Sequence, residues 1–309
     1  MPTTPPDATP RRNGLLRFWD SFIVAPLAQA NDEARVHWND PKSAGFDGRV
    51  VTILVVVAVM LTMQHYLLRY GAEFAFVMGM LRELGLGSFA EWWYRSLGNI
   101  FAADPAESND ALRRWLLYWA VGNFVLYVVI PGLVIKLVFR QTLAEYGLKL
   151  QGAFKDWWVY PLFLAVMLPL VFIVSHNEHF QHTYPFYHVG RQPLWPWFWV
   201  WEVFYALQFL GLEFFFRGFM VHGLRHRFGA YSIPVMMVPY CMIHFQKPMP
   251  ETFGAIVAGF VLGFMSLRTR SVILGAALHV GVAVTMDLTS LWQQGYFSPP
   301  GEGLKLIPQ

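Results

Sequence analysis

From Val50 onward the chain is a succession of mostly apolar runs, and most of them are close to the length needed to cross a membrane. A spanning helix requires about 20 predominantly apolar residues. The runs fall at Val50–Leu68, Trp115–Val138, Trp157–Val174, about Trp197–His222, Ile233–Phe245, Phe253–Leu267 and Val272–Trp292. Only helices and closed barrels satisfy their backbone polar groups in lipid, and runs of this length without strand alternation select helices. Composition agrees. Of 309 residues 14% are charged, against about 25% in a soluble domain. The predicted fold is therefore all-α, a polytopic membrane bundle of about seven transmembrane helices plus interfacial ones, in contact with membrane lipids.

The segments outside these runs divide the chain. Residues 1–47 form a tail: Met1–Asn13 is Pro/Thr-rich and expected to be disordered, and Gly14–Ala30 suits an interfacial helix that Pro26 interrupts. No cleavable signal peptide is expected, since the first long apolar run starts only near Val50. Residues 48–155 carry two spans and, between them, the mixed stretch Gly71–Ala103, whose apolar runs are broken by Arg82, Glu83, Glu91 and Arg95 and read as interfacial. Residues 156–295 hold the remaining spans, and 296–309 are a short tail. Pro131 predicts a kink in the second span.

Basic residues alternate along the chain. Arg49, Lys136, Arg140, Lys149, Lys155, Arg225, Arg227, Arg268 and Arg270 fall on one side of a seven-span arrangement. The positive-inside rule places that side, and the N-terminus, in the cytoplasm. The single cysteine, Cys241, excludes an internal disulfide and a cysteine-based metal site. Nothing in the sequence is a nucleic-acid signature.

Ionisable groups inside spans are costly and mark function by default. Glu213 and Arg217 are four apart in the fourth span and share a helix face. His244 ends the fifth, and His279 lies within the seventh, two turns before Asp287. Each has a plain explanation taken singly: a salt bridge, a helix-end histidine, an interhelical hydrogen bond. Counted from the basic loops at 1.5 Å per residue, however, all lie about 13–25 Å deep. Small residues, the Gly259/Gly263 pair and Gly275, Ala276, Ala277 and Gly281, permit close helix approach. A glutamate and two imidazoles at one buried point suit hydrolysis, one group activating water and another stabilising an oxyanion. The set Glu213, His244 and His279 would equally suit a zinc ion with an open position; the sequence does not choose.

The ordered motifs, Glu213-Phe-Phe-Phe-Arg217-Gly-Phe, Tyr240-Cys-Met-Ile-His244 and the helix-embedded His279, with Glu145-Tyr-Gly-Leu-Lys-Leu150 upstream, resemble the CAAX-protease and bacteriocin-processing family of intramembrane proteases. The resemblance covers about Trp197–Trp292 and implies a protease core over 156–295. It implies an endopeptidase acting on a membrane-associated protein or peptide, in a bacterial inner membrane, with Glu213, Arg217, His244 and His279 as site residues. In the family the glutamate and first histidine activate water, and the second histidine binds the oxyanion. Two positions depart from the pattern. Leu212 stands where the family has its first glutamate, and Ala283 where it has Asn or Asp. Glu213 is the expected carboxylate and Glu251 the next candidate, with Asp287 and Tyr240 as auxiliaries; Glu202, eleven residues before Glu213, lies about 16 Å along the same helix.

Two rival readings remain. An inactive relative would bind a partner rather than cleave it, as the two departures suggest. A membrane di-iron oxygenase would use the histidines at 176, 179 and 182 with those at 222 and 226, but no HxxHH box is present and the two groups fall at opposite faces.

Overall fold

A computed structural model describes residues 14–40, 45–68, 79–89, 91–92, 119–187, 189, 193–245 and 247–298. The expected disorder of Met1–Asn13, much of Gly71–Ala103, the start of the second run at Trp115 and residues 299–309 lie outside them.

Among the described residues every regular element is helical. The helices are α1 (Gly14–Trp19), α2 (Ala25–Asn39), α3 (Gly48–Leu67), α4 (Trp119–Val138), α5 (Val159–Val174), α6 (Glu178–Thr183), α7 (Trp197–Glu213), α8 (Gly223–Phe228), α9 (Ser232–Met242), α10 (Met249–Thr269) and α11 (Ile273–Gln293). Short helical turns also occur within 79–92. Five continuous helical stretches are long and apolar enough to cross a membrane. One of these, Trp197–Met242, is 46 residues long and folds back on itself. Its two arms meet at the Phe216–Tyr240 ring contact, on either side of a turn at Gly229–Tyr231. A helix thus covers each of the seven expected runs, although α5, at 16 residues, is shorter than a usual span.

The hairpin is the centre of the bundle. Its most apolar window is 72% buried, against 22% for α3. Phe214, Phe215, Phe216 and Phe219 are all fully buried, so the Phe-rich run faces protein and not lipid. By contrast α5 exposes Leu162, Val166, Leu170, Phe172 and Ile173, the apolar outer face a bilayer would cover. Around the hairpin, α9 packs on α10, and α11 packs on both α5 and α7.

Two prolines behave alike. A π turn at Asp20–Val24 precedes Pro26, and another at Val125–Val129 precedes Pro131. Proline lacks an N–H and crowds the preceding turn. Widening that turn to i→i−5 bonds, as from the Ala25 N–H to the Asp20 oxygen, lets the helix run on. Pro26 therefore does not interrupt the N-terminal helix. That helix also does more than lie on a surface. It docks on the end of the bundle that carries the basic residues. Glu33 pairs with Arg270 at 2.6 Å and approaches Arg225 at 3.9 Å. Trp38 Nε1 donates to the Arg227 carbonyl at 2.8 Å. Asn31 Oδ1 accepts from the Ala230 amide at the hairpin turn. Gly229 (φ 54°) is required there: a Cβ would lie 2.5 Å from Asn31 Oδ1.

The Glu145–Leu150 segment is a strap across the same end. Tyr146 Oη accepts from Arg49 and donates to Gln141. The Gly147 carbonyl accepts from the Val272 amide, and the Lys149 carbonyl from Ser271 Oγ. The strap's backbone presses on the central hairpin at Gly218, where a Cβ would stand 2.6 Å from the Tyr146 oxygen.

Candidate active site

At the end of α7 the helix changes pitch, and Phe214–His222 forms a nine-residue π-helix. Such turns are rare and recur at functional sites. Glu213 is the last residue before it and Arg217 its fourth residue. Arg217 Nη1 lies 3.0 Å from Glu213 Oε1, and both side chains are essentially inaccessible. Arg217 further donates to the Ala258 carbonyl on α10 at 3.4 Å and sits 4.0 Å over the Tyr240 ring. Removing either partner would leave an uncompensated buried charge, at a cost of about 3–5 kcal/mol.

His279 on α11 meets this pair. Its Nδ1 lies 3.0 Å from the same Glu213 oxygen. A carboxylate only accepts, so Nδ1 carries the proton and Nε2 presents a lone pair. The Phe209 ring packs against the imidazole at 4.4 Å. His279 keeps 17% of its side chain exposed while Glu213 keeps 1%, so the imidazole is the part of the pair that reaches an accessible space. Gly275 makes the approach of α11 tight: a Cβ there would stand 3.4 Å from Glu213 Oε2.

His244 follows α9. Its Nδ1 lies 2.8 Å from the Tyr240 carbonyl, so that nitrogen again donates and Nε2 is left. The Tyr240 ring contacts His244 at 4.9 Å on one side and carries Arg217 on the other. A continuous run of contacts therefore links His279, Glu213, Arg217, Tyr240 and His244 across three segments. Their sequence-predicted convergence is present, with the glutamate hydrogen-bonded to His279 and not to His244.

Of the auxiliary residues, Tyr240 belongs to this run, whereas Glu251 and Asp287 lie elsewhere. Glu251 accepts from Tyr184 Oη at 2.9 and 3.0 Å and pairs with Lys247 at 2.5 Å. Burial and the adjacent Glu251 charge push the Tyr184 phenol well above its ordinary pKa, which keeps it a donor. Glu251 is thus engaged outside the Glu213–His279 pair. Asp287 is fully buried and faces Glu202 across the α7–α11 contact, a second polar layer between the same two helices. Trp201 also faces Asp287, yet none of these approaches reaches hydrogen-bond geometry. Leu212 is packed in the main apolar cluster, and Ala283 in a second one with Phe198, Trp201, Tyr205 and Phe209. Both departures are filled by core packing.

Arg217 and His279 both engage Glu213 Oε1. Among the described residues, the group of three ligand atoms within 4.8 Å of one another is His37, Asp47 and His226. The oxygenase histidines do not share a centre. His176 approaches Gln293 at the far end of α11, whereas His222 bonds Ser266 and lies beside Gly147, which binds the start of that helix. A cavity of about 530 Å³ opens between α5, α6 and the start of α10, lined by Phe180, Lys247 and Met249 among others; it adjoins the Glu251 cluster and does not contain the Glu213–His279 pair.

Residues 193–285 match the family described as type II CAAX prenyl endopeptidase Rce1-like. The likeness to this family spans under a third of the chain. The match begins just before α7 and ends inside α11, so it takes in every member of the contact run from Glu213 to His279. No curated protein and no solved structure matches the chain. Relative to the family pattern, Arg217 and both histidines are present, the carboxylate is Glu213, and positions 212 and 283 have become apolar core.

Proposed function

We propose that the chain is an intramembrane endopeptidase that hydrolyses a peptide bond of a membrane-associated protein or peptide, with Glu213 and His279 as a carboxylate–imidazole dyad. The observation that carries this reading is the 3.0 Å contact from His279 Nδ1 to Glu213 Oε1 between two separate helices. A buried carboxylate on Nδ1 fixes the tautomer and stabilises the imidazolium that forms when Nε2 takes a proton. In this reading His279 Nε2 removes a proton from water, and the water oxygen attacks the peptide carbonyl carbon. The proton then passes to the leaving amine nitrogen as the C–N bond breaks. His244 offers the second imidazole: its Nδ1–H is held by the Tyr240 carbonyl, which leaves Nε2 to act on the substrate. Arg217 holds Glu213 in place and keeps the dyad charge-balanced. The basic end, with α2 docked on it, is read as the cytoplasmic side.

The experiment is cleavage of a candidate membrane peptide by wild type, Glu213→Gln and His244→Ala in detergent or vesicles. Loss of cleavage in both variants, with unchanged folding, supports the reading. The competing reading, an inactive relative that binds a partner, draws on the apolar Leu212 and Ala283. It predicts that wild type cleaves none of the substrates on which other members of the family are active.

A further inference from the structure

A second cluster of metal-ligating side chains lies at the basic end, outside the candidate active site. We infer that His37, Asp47 and His226 bind a divalent transition-metal ion of the zinc class, with water completing the coordination. The three come from segments distant in sequence: the end of α2, the residue that caps α3, and α8 in the hairpin. His226 Nε2 lies 3.0 Å and His37 Nε2 3.4 Å from Asp47 Oδ2, and all three ligand atoms fall within 4.8 Å of one another. Zn–N and Zn–O bonds of about 2.0–2.2 Å at a tetrahedral angle place neighbouring ligand atoms about 3.3 Å apart. Both measured approaches to Asp47 are close to that, and the two imidazole nitrogens lie within 4.8 Å of each other.

The hydrogen bonds around the cluster hold its ligand atoms in place. Asp47 Oδ1 accepts from the Arg49 and Val50 amides at 3.1 Å, which fixes the carboxylate and leaves Oδ2 for the imidazoles. His226 Nδ1 faces the Gly223 carbonyl at 2.9 Å, so it donates there. Its Nε2 is thereby directed at Asp47 Oδ2, 3.0 Å away. A backbone carbonyl on the outer imidazole nitrogen is also how metal-binding histidines are oriented. Two imidazoles and a carboxylate suit zinc, and leave room for water. Side-chain exposures of 32%, 14% and 21% for His37, Asp47 and His226 leave the site reachable from solution. Arg49 directs its guanidinium to Tyr146 Oη at 3.0 Å. A bound ion would tie α2 to α3 and to the hairpin that carries Glu213 and Arg217.

The test loads the full chain in detergent with Zn²⁺, removes free metal, and measures metal per chain for wild type, His37→Ala, Asp47→Asn, His226→Ala and Glu213→Gln. Asparagine keeps the capping oxygen of Asp47, so that variant probes ligation more than the helix end. The expected result is one zinc in wild type and in Glu213→Gln, and its loss from the other three. Zinc should raise the unfolding midpoint of wild type and leave that of His37→Ala unchanged. Titration of wild type with Co²⁺ gives a readout that does not depend on any variant folding: one equivalent should produce the intense visible absorption of a four-coordinate ion. A weak aquo-ion spectrum, zinc at blank level in wild type, or zinc retained by His37→Ala and His226→Ala but lost from Glu213→Gln overturns the inference.

Discussion

Replacing Gly218 by alanine probes the contact on which the central hairpin is built. A Cβ at this position would lie 2.6 Å from the Tyr146 carbonyl oxygen and 2.8 Å from Phe214 Cδ2. One of these atoms is backbone in the Glu145–Leu150 strap, which is held by the Gly147–Val272 and Lys149–Ser271 hydrogen bonds. The other belongs to a fully buried ring. Neither is the loose end of a flexible side chain, so overpacking should reach the upper part of its usual range of about 1–3 kcal/mol. Alanine returns up to about 1 kcal/mol of helix propensity. The net expectation is a loss of roughly 2 kcal/mol, together with reduced cleavage because Arg217 is the adjacent residue. At Gly254, on α10, a Cβ would meet no other atom within 4 Å, and the alanine variant there should be neutral or slightly more stable. The assay is reversible unfolding of both variants in the same micelles. Equal or greater stability of Gly218→Ala than wild type would refute the packing account.

Other substitutions test separate parts of the interior. Arg217→Met should destabilise by about 3–5 kcal/mol, because it leaves the buried Glu213 charge with only the His279 hydrogen bond, and Glu213→Gln in the same chain should recover most of the loss; unfolding of the two single variants and the double variant measures the coupling. Glu202→Gln should leave stability unchanged or raise it by about 1 kcal/mol, since two buried carboxyl groups face each other there with no hydrogen bond made, and a clear fall in the unfolding midpoint would show that the pair is satisfied. Leu212→Glu, which restores the family's glutamate, should lower stability and fail to raise cleavage, because the side chain enters a packed apolar cluster; higher activity in a well-folded variant would show that the site is open to a second carboxylate.

Much of this architecture was legible in the sequence because membrane crossing is a local property. The apolar runs, the basic loops and the shared depth of Glu213, His244 and His279 follow from composition and from a fixed rise per residue. What escaped depends on tertiary contact. The π-helix at Phe214–His222 differs from an α-helix by one residue in each hydrogen-bonded ring, and the strap packs against it at Gly218; the glycine beside Arg217 was the available signal of that close approach. Pro26 looked like a break and Pro131 like a kink, and a widened turn before each keeps its helix continuous. Lys247 lies four residues before Glu251, a legible spacing, but Tyr184 beside Glu251 and Glu202 beside Asp287 are far away in the chain, and no spacing rule connects them. His37 and Asp47 stood in a tail whose order the sequence did not require, so their meeting with His226 had no local sign.

The central claim is that His279, held by Glu213, does the chemistry. The most direct measurement is kcat for His279→Ala beside wild type, on a peptide that wild type cleaves, with folding checked in the same preparation. Loss of a positioned general base should lower kcat by about 10²–10⁴-fold. A folded His279→Ala protein that turns over within a few-fold of wild type would contradict the account.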